Sequence, residues 1–220
     1  MLNKLNLCFA IVFLVTSIVF YIEPALDIKV MHFFYDENIG FTHSKHWFVI
    51  LVFRTVPILT ILYSIWLIYS SVRLCCIKSK NHKKVVLNLT ILMSLILGPG
   101  VIVNLALKDN FGRARPKQIT EFGAMKTFTN VYKVTDQCKS NCSFSSGHAA
   151  AAYNFTTIAF LVPLQYQVVT YAAGLVFGTI VGVGRVAQGG HFMSDVIVSA
   201  WIIFLINYIL MALYNKKFGN

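Results

Sequence analysis

Three short segments of the sequence carry side chains suited to phosphate chemistry. They are residues 108–116, 146–148 and 185–195, and each contains a lysine, an arginine or a histidine. Lysine and arginine bind anions, and histidine acts as an acid, a base or a nucleophile near neutral pH. The three segments therefore predict a site that binds an anion and transfers a group from it.

Lys108, Arg115 and Arg185 each stand at the mouth of a predicted helix. A cation at a membrane is costly unless it is paired, and few carboxylates are near these three in sequence. The expected partner is an anionic ligand, to which arginine donates two parallel hydrogen bonds. Ser146-Gly147 stands where a predicted helix begins, so free backbone N–H groups and a close backbone approach favour phosphate there.

Two histidines, His148 and His191, supply acid, base or nucleophile. Asp195 follows His191 by four residues, so the two share a face if a helix begins near His191. Asp195 would then accept a hydrogen bond from one ring nitrogen and leave the other free to attack. The residues predict phosphoryl transfer in which cations replace magnesium, with no metal and no cofactor, because no carboxylate cluster indicates a metal site.

The composition predicts that lipid surrounds the elements that carry these segments. The chain of 220 residues is 57% hydrophobic and 12% charged, and its mean hydropathy is +0.68. A soluble domain has about 25% charged residues. Neither a break in composition nor a repeat divides the chain, so residues 1–220 are predicted to form one domain. The net charge of +11 does not indicate nucleic-acid binding, because the bases sit between apolar stretches.

An all-α polytopic membrane protein is the predicted fold, because a membrane helix needs about 20 mostly apolar residues. Six segments qualify: 5–21, 47–70, 85–107, 148–164, 168–183 and 194–214. The first is predicted to be an uncleaved helix, because Glu23-Pro24-Ala25 is a poor signal-peptide cleavage site. The fourth and fifth are short and predict a hairpin in a locally thinned bilayer. Residues 22–46 are predicted to include a short interfacial helix.

Loop charges predict the orientation. Basic residues precede the first span, follow the second and follow the last, at Lys4, Arg73, Lys78, Lys80, Lys83, Lys84, Lys216 and Lys217. With six spans these all fall on one side, which the positive-inside rule assigns to the cytosol together with both termini. All three segments of the site then lie on the opposite, outer face.

The pattern K-x6-R-P, then S-G-H, then R-x5-H-x3-D resembles the type 2 phosphatidic acid phosphatase/haloperoxidase superfamily. The resemblance assigns phosphate binding to Lys108, Arg115, Ser146, the Gly147 amide and Arg185. It implies that His191 attacks phosphorus to form a phosphohistidine and that Asp195 orients His191. It also implies that His148 protonates the leaving oxygen and later activates water.

Local similarities extend to bacterial lipid A phosphatases, at residues 98–116, 138–144 and 188–192. They imply a multi-pass protein of the bacterial inner membrane with a periplasmic site that dephosphorylates lipid A or a related glycolipid. The alternatives are an undecaprenyl diphosphate or phosphatidylglycerophosphate phosphatase, and a transporter or lipid-binding protein without activity. Vanadate-dependent halide oxidation is disfavoured because those enzymes are soluble.

Two positions depart from the superfamily pattern. Ser145 replaces the usual proline, and it retains a hydroxyl that can cap the following helix. Gly184 replaces the usual serine and removes a hydroxyl that would bind phosphate.

Four features have open roles in the sequence. Arg113 is either a solvated charge or a second phosphate contact. Arg54, inside the second span, either snorkels to the interface or contacts a lipid headgroup. Cys138 and Cys142 form a disulfide if their loop is outside the cytosol. Gly98-Pro99-Gly100 either kinks the third span or opens a lateral door for lipid.

Overall fold

Helices form most of the computed structural model, which describes residues 1–76 and 81–218. The α-helices are α1 (Leu2–Ile22), α2 (Ala25–His32), α3 (Trp47–Cys76), α4 (His82–Leu95), α5 (Gly147–Asn154), α6 (Leu164–Ala187) and α7 (Met193–Phe218). A π-helix (Ile96–Leu107) continues α4, and 3-10 helices cover Pro116–Gln118, Thr120–Phe122 and Phe155–Phe160. The antiparallel strands β1 (Tyr35–Asp36) and β2 (Gly40–Phe41) form a hairpin. The predicted loop cations Lys78 and Lys80 lie outside the described residues.

Among the described residues, five helices are long and apolar enough to cross a membrane. They are Leu2–Ile22, Trp47–Cys76, His82–Leu107, Leu164–Ala187 and Met193–Phe218. These helices match the predicted first, second, third, fifth and sixth spans. The fifth span was predicted to be short, which is wrong, because its helix has 24 residues. The all-α membrane architecture predicted from composition is therefore present.

The segment predicted as the fourth span is shorter than the other five. It consists of 8 residues of α-helix and 6 of 3-10 helix. At rises of about 1.5 and 2.0 Å per residue it is about 24 Å long, less than the roughly 30 Å hydrocarbon core. The hydroxyl groups of Thr156 and Thr157 donate to the carbonyl oxygens of Tyr153 and Asn154, which competes with regular helix bonding. Pro163 then ends the segment, because proline lacks a backbone N–H.

Helix α7 lies at the centre of the bundle and is the most buried of the five long helices. Its Phe204 packs against aromatic rings from α1, α5 and α6, with centroid distances of 5.4 Å to Phe9 and 5.6 Å to Phe13. Because lipid already surrounds apolar side chains, the buried polar residues of α7, which include Asp195, Ser199 and Asn207, account for this position. The central placement fixes the start of α7, where Asp195 lies.

Small residues allow α5 and α6 to pack closely as an antiparallel pair. A Cβ atom at Gly174 would lie 2.7 Å from the backbone nitrogen of Thr156, and one at Gly178 would lie 2.3 Å from the Tyr153 ring. Helices in membranes approach closely where such residues meet. The hairpin predicted for these two segments is thus present, and it brings the start of α5 near the end of α6.

The Gly98-Pro99-Gly100 sequence lies within the π-helix rather than at a simple kink in an α-helix. Pro99 has no N–H to donate to the helix, and the turns of a π-helix are wider than those of an α-helix. The Asn104 side-chain amide donates a hydrogen bond to the Pro99 carbonyl oxygen at 2.7 Å. At the end of this helix the Lys108 backbone N–H donates to the Val103 carbonyl oxygen at 3.1 Å. The π-helix therefore sets the position of Lys108.

Residues 22–46 form a compact cap, which contains the short helix predicted for this segment. Helix α2 is followed by the β1–β2 hairpin, and Tyr35, Phe41 and Phe122 form an aromatic cluster with centroid distances of 4.9 to 5.4 Å. A Cβ atom at Gly189 would lie 2.5 Å from the Phe41 ring, and the φ of Gly189 is +61°. The cap thus packs directly on the loop that carries His191.

Candidate active site

The structure brings the three sequence segments together where several helices begin or end. Lys108 follows the π-helix, Ser146 is the N-cap of α5, and Arg185 is in the last turn of α6. His191 lies between α6 and α7, and Asp195 is in the first turn of α7. One site therefore collects residues from four separate helical elements.

His191 is buried, with 1% of its surface exposed, and its Nδ1 lies 2.6 Å from the Ser143 carbonyl oxygen. A carbonyl only accepts, so Nδ1 carries the proton and Nε2 of the neutral ring has a free lone pair. Burial lowers the pKa of His191 well below its ordinary value of 6.5. The positive charges of Arg185, Arg115 and Lys108 lower this pKa further. The ring is therefore neutral at neutral pH, as a nucleophile requires.

Asp195 does not make the direct hydrogen bond to His191 that the four-residue spacing predicted. Its Oδ2 lies 3.9 Å from His191 Nδ1. Helix α7 begins at Met193, so His191 precedes the helix and helical spacing does not apply to it. Asp195 Oδ2 instead accepts from the Ser143 hydroxyl at 2.5 Å and from the Phe192 N–H at 2.9 Å. Ser143 connects the two residues, because its carbonyl holds His191 and its hydroxyl binds Asp195.

Arg113 is neither a solvated charge nor a phosphate contact. Only 1% of its surface is exposed, and its guanidinium bridges Asp27 Oδ2 at 2.8 Å and Asp195 Oδ1 at 2.6 Å. It also lies 4.2 Å from the centroid of the Phe192 ring. A buried arginine needs such compensation for its lost hydration. Arg113 therefore fixes the carboxylate of Asp195 from the side opposite Ser143.

Asp27 was not predicted from the sequence to belong to the site. It comes from α2, is buried, and accepts hydrogen bonds from the backbone N–H and the hydroxyl of Ser194, at 2.9 and 2.5 Å. With Arg113 it ties the cap to the start of α7. A possible signal was its presence in an apolar segment of a chain with only 8 acidic residues.

Arg115 is held by the loop between Cys138 and Cys142, which are joined by a disulfide. Its Nη2 donates to the carbonyl and side-chain oxygens of Asn141 at 2.7 and 2.9 Å, and its Nε donates to the same carbonyl at 3.2 Å. The Asn141 N–H in turn donates to Asp109 at 2.9 Å. The acceptors of Arg115 are neutral, so its charge remains available for an anion.

Arg185 and Lys108 complete the cluster of cations. The Arg185 side chain donates to the Gln188 amide oxygen, and its Nε is buried without a hydrogen-bond partner among the described residues. A Cβ atom at Gly190 would lie 2.6 Å from its Nη2, so only glycine leaves room for this guanidinium. Burial lowers the pKa of Lys108, and Arg115 and Arg185 lower it further. These mutual effects show that the three cations lie near one another.

The start of α5 supplies the remaining predicted residues. Ser146, rather than Ser145, caps the helix by accepting the Ala149 N–H at 3.5 Å, and its own N–H donates to Ser199 at 2.8 Å. A Cβ atom at Gly147 would lie 2.5 Å from Asn104 Oδ1, so this position requires glycine. His148 Nε2 is buried and has no hydrogen-bond partner in the described chain. It is the atom of this ring that remains available to a ligand.

The two departures from the superfamily pattern have different surroundings. Ser145 is fully buried, and its hydroxyl has no partner among the described residues. An added Cβ at Gly184 would make only an ordinary van der Waals contact, at 3.7 Å from Val49 Cγ1. A larger residue therefore fits at Gly184. Arg54 is exposed on α3 and is not part of the cluster.

An apolar cavity of about 330 Å³ opens beside the cations. Its lining includes Lys108, Gly147 and His148. The other lining residues are mostly apolar and come mainly from α3 and the π-helix, for example Pro57 and Pro99. Within residues 1–76 and 81–218, no group of three or more His, Cys, Asp or Glu side chains is placed to hold a metal ion. The positive charge found in the site comes from lysine and arginine.

Comparison with known proteins places these features in a family. The sequence model of the PAP2 superfamily matches residues 86–218. The lipid A 4'-phosphatase of Francisella tularensis subsp. novicida is 32% identical over 210 residues, which are 91% of each chain. The lipid A 4'-phosphatase of Rhizobium leguminosarum is 32% identical over 125 residues, which are 56% of this chain and 53% of that protein.

A solved structure shares the fold. The crystal structure of a transmembrane PAP2 type phosphatidylglycerolphosphate phosphatase from Bacillus subtilis aligns with a TM-score of 0.57 and 15% identity, over 97% of this chain and 96% of that one. The matched residues 86–218 contain all three segments of the site. The chain therefore belongs to the PAP2 superfamily and is a phosphatase of its membrane branch.

Proposed function

We propose that the protein removes phosphate from lipid A, or from a related phosphorylated glycolipid, at the outer face of the bacterial inner membrane. The reaction proceeds through a phosphohistidine and needs no metal ion. The named relatives, which are lipid A 4'-phosphatases, favour the 4'-phosphate as the group removed. The observation that carries the proposal is the neutral His191 ring, held at Nδ1 by Ser143, beside three cations.

The first step transfers phosphate from the lipid to the protein. His191 Nε2 attacks phosphorus while the bond to the lipid oxygen breaks, and His148 protonates that oxygen as it leaves. Lys108, Arg115 and Arg185 bind the phosphate oxygens and stabilise their negative charge in the transition state. The Gly147 N–H, near the positive end of the α5 dipole, adds a neutral donor.

The second step releases inorganic phosphate. His148, now neutral, takes a proton from water, and the resulting hydroxide attacks phosphorus and breaks the bond to His191 Nε2. Both histidines return to their starting states, so atoms and protons balance over the cycle. Asp195 acts through Ser143, because Ser143 is the residue that connects it to His191. Its negative charge stabilises the positive ring that forms during attack.

The apolar cavity supports a lipid substrate. Three residues of the proposed chemistry line it, and most of its other lining residues are apolar and come from α3 and the π-helix. An acyl chain in this cavity would place its headgroup beside Lys108 and His148. A water-soluble phosphate ester would gain no binding energy from these apolar lining residues.

The proposed topology has six crossings, with both termini in the cytosol. The Gly147–Phe160 segment leaves the site and α6 returns to it, so this short segment counts as one crossing. The basic residues Lys4, Lys83, Lys84, Lys216 and Lys217 then share the cytosolic side. The active site lies on the periplasmic side.

Two measurements test the function. Mass spectrometry of lipid A from cells with and without the gene should show one phosphate fewer when the gene is present. Purified protein in EDTA should release phosphate from lipid A faster than from undecaprenyl diphosphate or phosphatidylglycerophosphate, and His191→Ala should release none. An unchanged number of phosphates on lipid A would contradict lipid A as the substrate. If the purified protein releases phosphate from none of these lipids, a transporter or a lipid-binding protein is favoured.

A further inference from the structure

Phe53 of α3 contacts two residues of the active site with one ring. Its ring stacks on His148, with a centroid distance of 4.4 Å and an interplanar angle of 21°. The guanidinium carbon of Arg185 lies 4.6 Å from the centroid of the same ring. None of the three sequence segments lies on α3, so Phe53 ties this helix to residues supplied by α5 and α6. We infer that Phe53 is a positioning residue for both His148 and Arg185; this inference rests on the proposed function.

The contact between Phe53 and Arg185 compensates for a hydrogen-bond partner that this guanidinium lacks. Its Nε is buried without a partner in the described chain, and its Nη1 donates a hydrogen bond to the neutral amide oxygen of Gln188. An aromatic face attracts a cation without neutralising it. The Phe53 ring therefore holds Arg185 in place while leaving its charge available for phosphate. A carboxylate in the same place would compete with the substrate.

The contact with His148 fixes the plane of the imidazole. Nε2 of this ring has no hydrogen-bond partner among the described residues, so it is left to exchange protons with the substrate. Phe53 thus sets the plane of the ring that acts as the general acid. It also fixes the spacing between that acid and a phosphate-binding cation.

The test compares three variants of the full-length protein in detergent. Phe53→Leu and Phe53→Met remove the ring and keep an apolar side chain, whereas Phe53→Tyr keeps the ring face. Phe48→Leu is the matched control, because Phe48 is on the same helix, is 44% exposed and has its ring contact with Trp47. Two ring-free variants are used so that the result does not depend on the folding of one protein. Folded protein is quantified by size-exclusion chromatography.

The readout is kcat/KM for two phosphate esters, dioctanoyl phosphatidic acid and p-nitrophenyl phosphate. An alkyl oxygen needs a proton to leave, whereas p-nitrophenolate leaves with little help, so a misplaced His148 affects the first ester more. Loss of a desolvated cation–π contact is expected to lower kcat/KM about tenfold for both esters in the ring-free variants. A further loss of about tenfold is expected for phosphatidic acid alone, because a misplaced His148 loses part of the roughly 100-fold or larger contribution of general acid catalysis. Phe53→Tyr should stay within about threefold of wild type, because it retains the ring face.

An unchanged ratio between the two esters in both ring-free variants would overturn the role toward His148, and unchanged kcat/KM would overturn the inference entirely. Equal losses in Phe48→Leu would assign the effect to the helix rather than to Phe53. His191→Ala, measured alongside, separates this inference from the proposed function. If His191→Ala is inactive and the ring-free variants are fully active, the positioning role alone fails. If His191→Ala remains active, the proposed mechanism fails.

Discussion

Ser143 accepts a hydrogen bond from His191 through its backbone carbonyl and donates one to Asp195 through its hydroxyl. The carbonyl bond, 2.6 Å from His191 Nδ1, determines which ring nitrogen is free to attack. A backbone acceptor performs this orientation without depending on the identity of a side chain. The carboxylate of Asp195 is linked to His191 through Ser143. It belongs to a buried network that also contains Arg113 and Asp27.

The buried network predicts an order of stabilities. Arg113→Leu leaves the carboxylates of Asp27 and Asp195 buried without their shared cation, and we expect a loss of about 3–5 kcal/mol. Asp27→Asn leaves Arg113 paired with Asp195, so the expected loss is smaller, about 1–2 kcal/mol. Thermal unfolding in detergent measures both. The reverse order would show that Asp27, rather than Arg113, holds the network together.

The rate of phosphate release should fall on both sides of neutral pH. On the acid side His191 must be neutral to attack, and because its pKa is lowered, activity is lost only as the pH falls well below 6.5. On the alkaline side activity falls as His148 loses the proton that it must give to the leaving oxygen of the lipid. The pH dependence of kcat/KM checks both limbs.

The ester p-nitrophenyl phosphate provides the control for the alkaline limb. Its leaving group needs little protonation, so the alkaline limb should be weaker with this ester than with a lipid phosphate, while the acid limb stays in place. If both esters lose activity equally at high pH, His148 is not the group that titrates.

The disulfide loop should affect binding of phosphate through Arg115. Reduction of the disulfide, or Cys138→Ser with Cys142→Ser, frees Asn141 and its three hydrogen bonds to Arg115. We expect KM to rise about tenfold, the value of one charge-assisted contact. Cys75→Ser with Cys76→Ser is the control, since these exposed cysteines are free. A reducing agent that inhibits the double Cys138/Cys142 variant as much as wild type would rule out this route.

Two glycines should respond differently to the same added methyl group. Gly184→Ala has room and lies in a helix, so we expect a gain of up to about 1 kcal/mol in stability with activity retained. Gly190→Ala places a Cβ 2.6 Å from Arg185 Nη2 and should displace the guanidinium. A displacement of about 1 Å can lower the rate about 100-fold. Phosphate release by the two purified variants distinguishes the cases, and equal activities would contradict the close contact at Gly190.

The sequence predicted the features that depend on local pattern. Long apolar runs predict membrane helices, and the spacing of basic and histidine residues predicts which side chains share the site. The predicted fourth span is shorter than expected, because two threonine hydroxyls and Pro163 interrupt a stretch whose composition is apolar. Hydropathy alone does not register such interruptions.

The parts that the sequence did not predict depend on contacts between distant segments. Asp27, Phe53 and Ser143 reach the site from the cap, from α3 and from the position after the disulfide loop, outside the superfamily motifs. The burial of Arg113 likewise requires Asp27, which is 86 residues away. The bond from Asp195 to His191 was expected from helical spacing, and it fails because α7 starts two residues too late.

The most direct measurement of the mechanism is the identification of a phosphorylated His191. His148→Ala should form the phosphoenzyme from p-nitrophenyl phosphate, whose leaving group needs little protonation, but should hydrolyse it slowly for want of a base. Quenching in alkali, which preserves phosphohistidine, followed by peptide mass spectrometry should place the phosphoryl group on His191. Absence of any phosphorylated peptide, together with phosphate release by His191→Ala at the wild-type rate, would contradict the proposed mechanism.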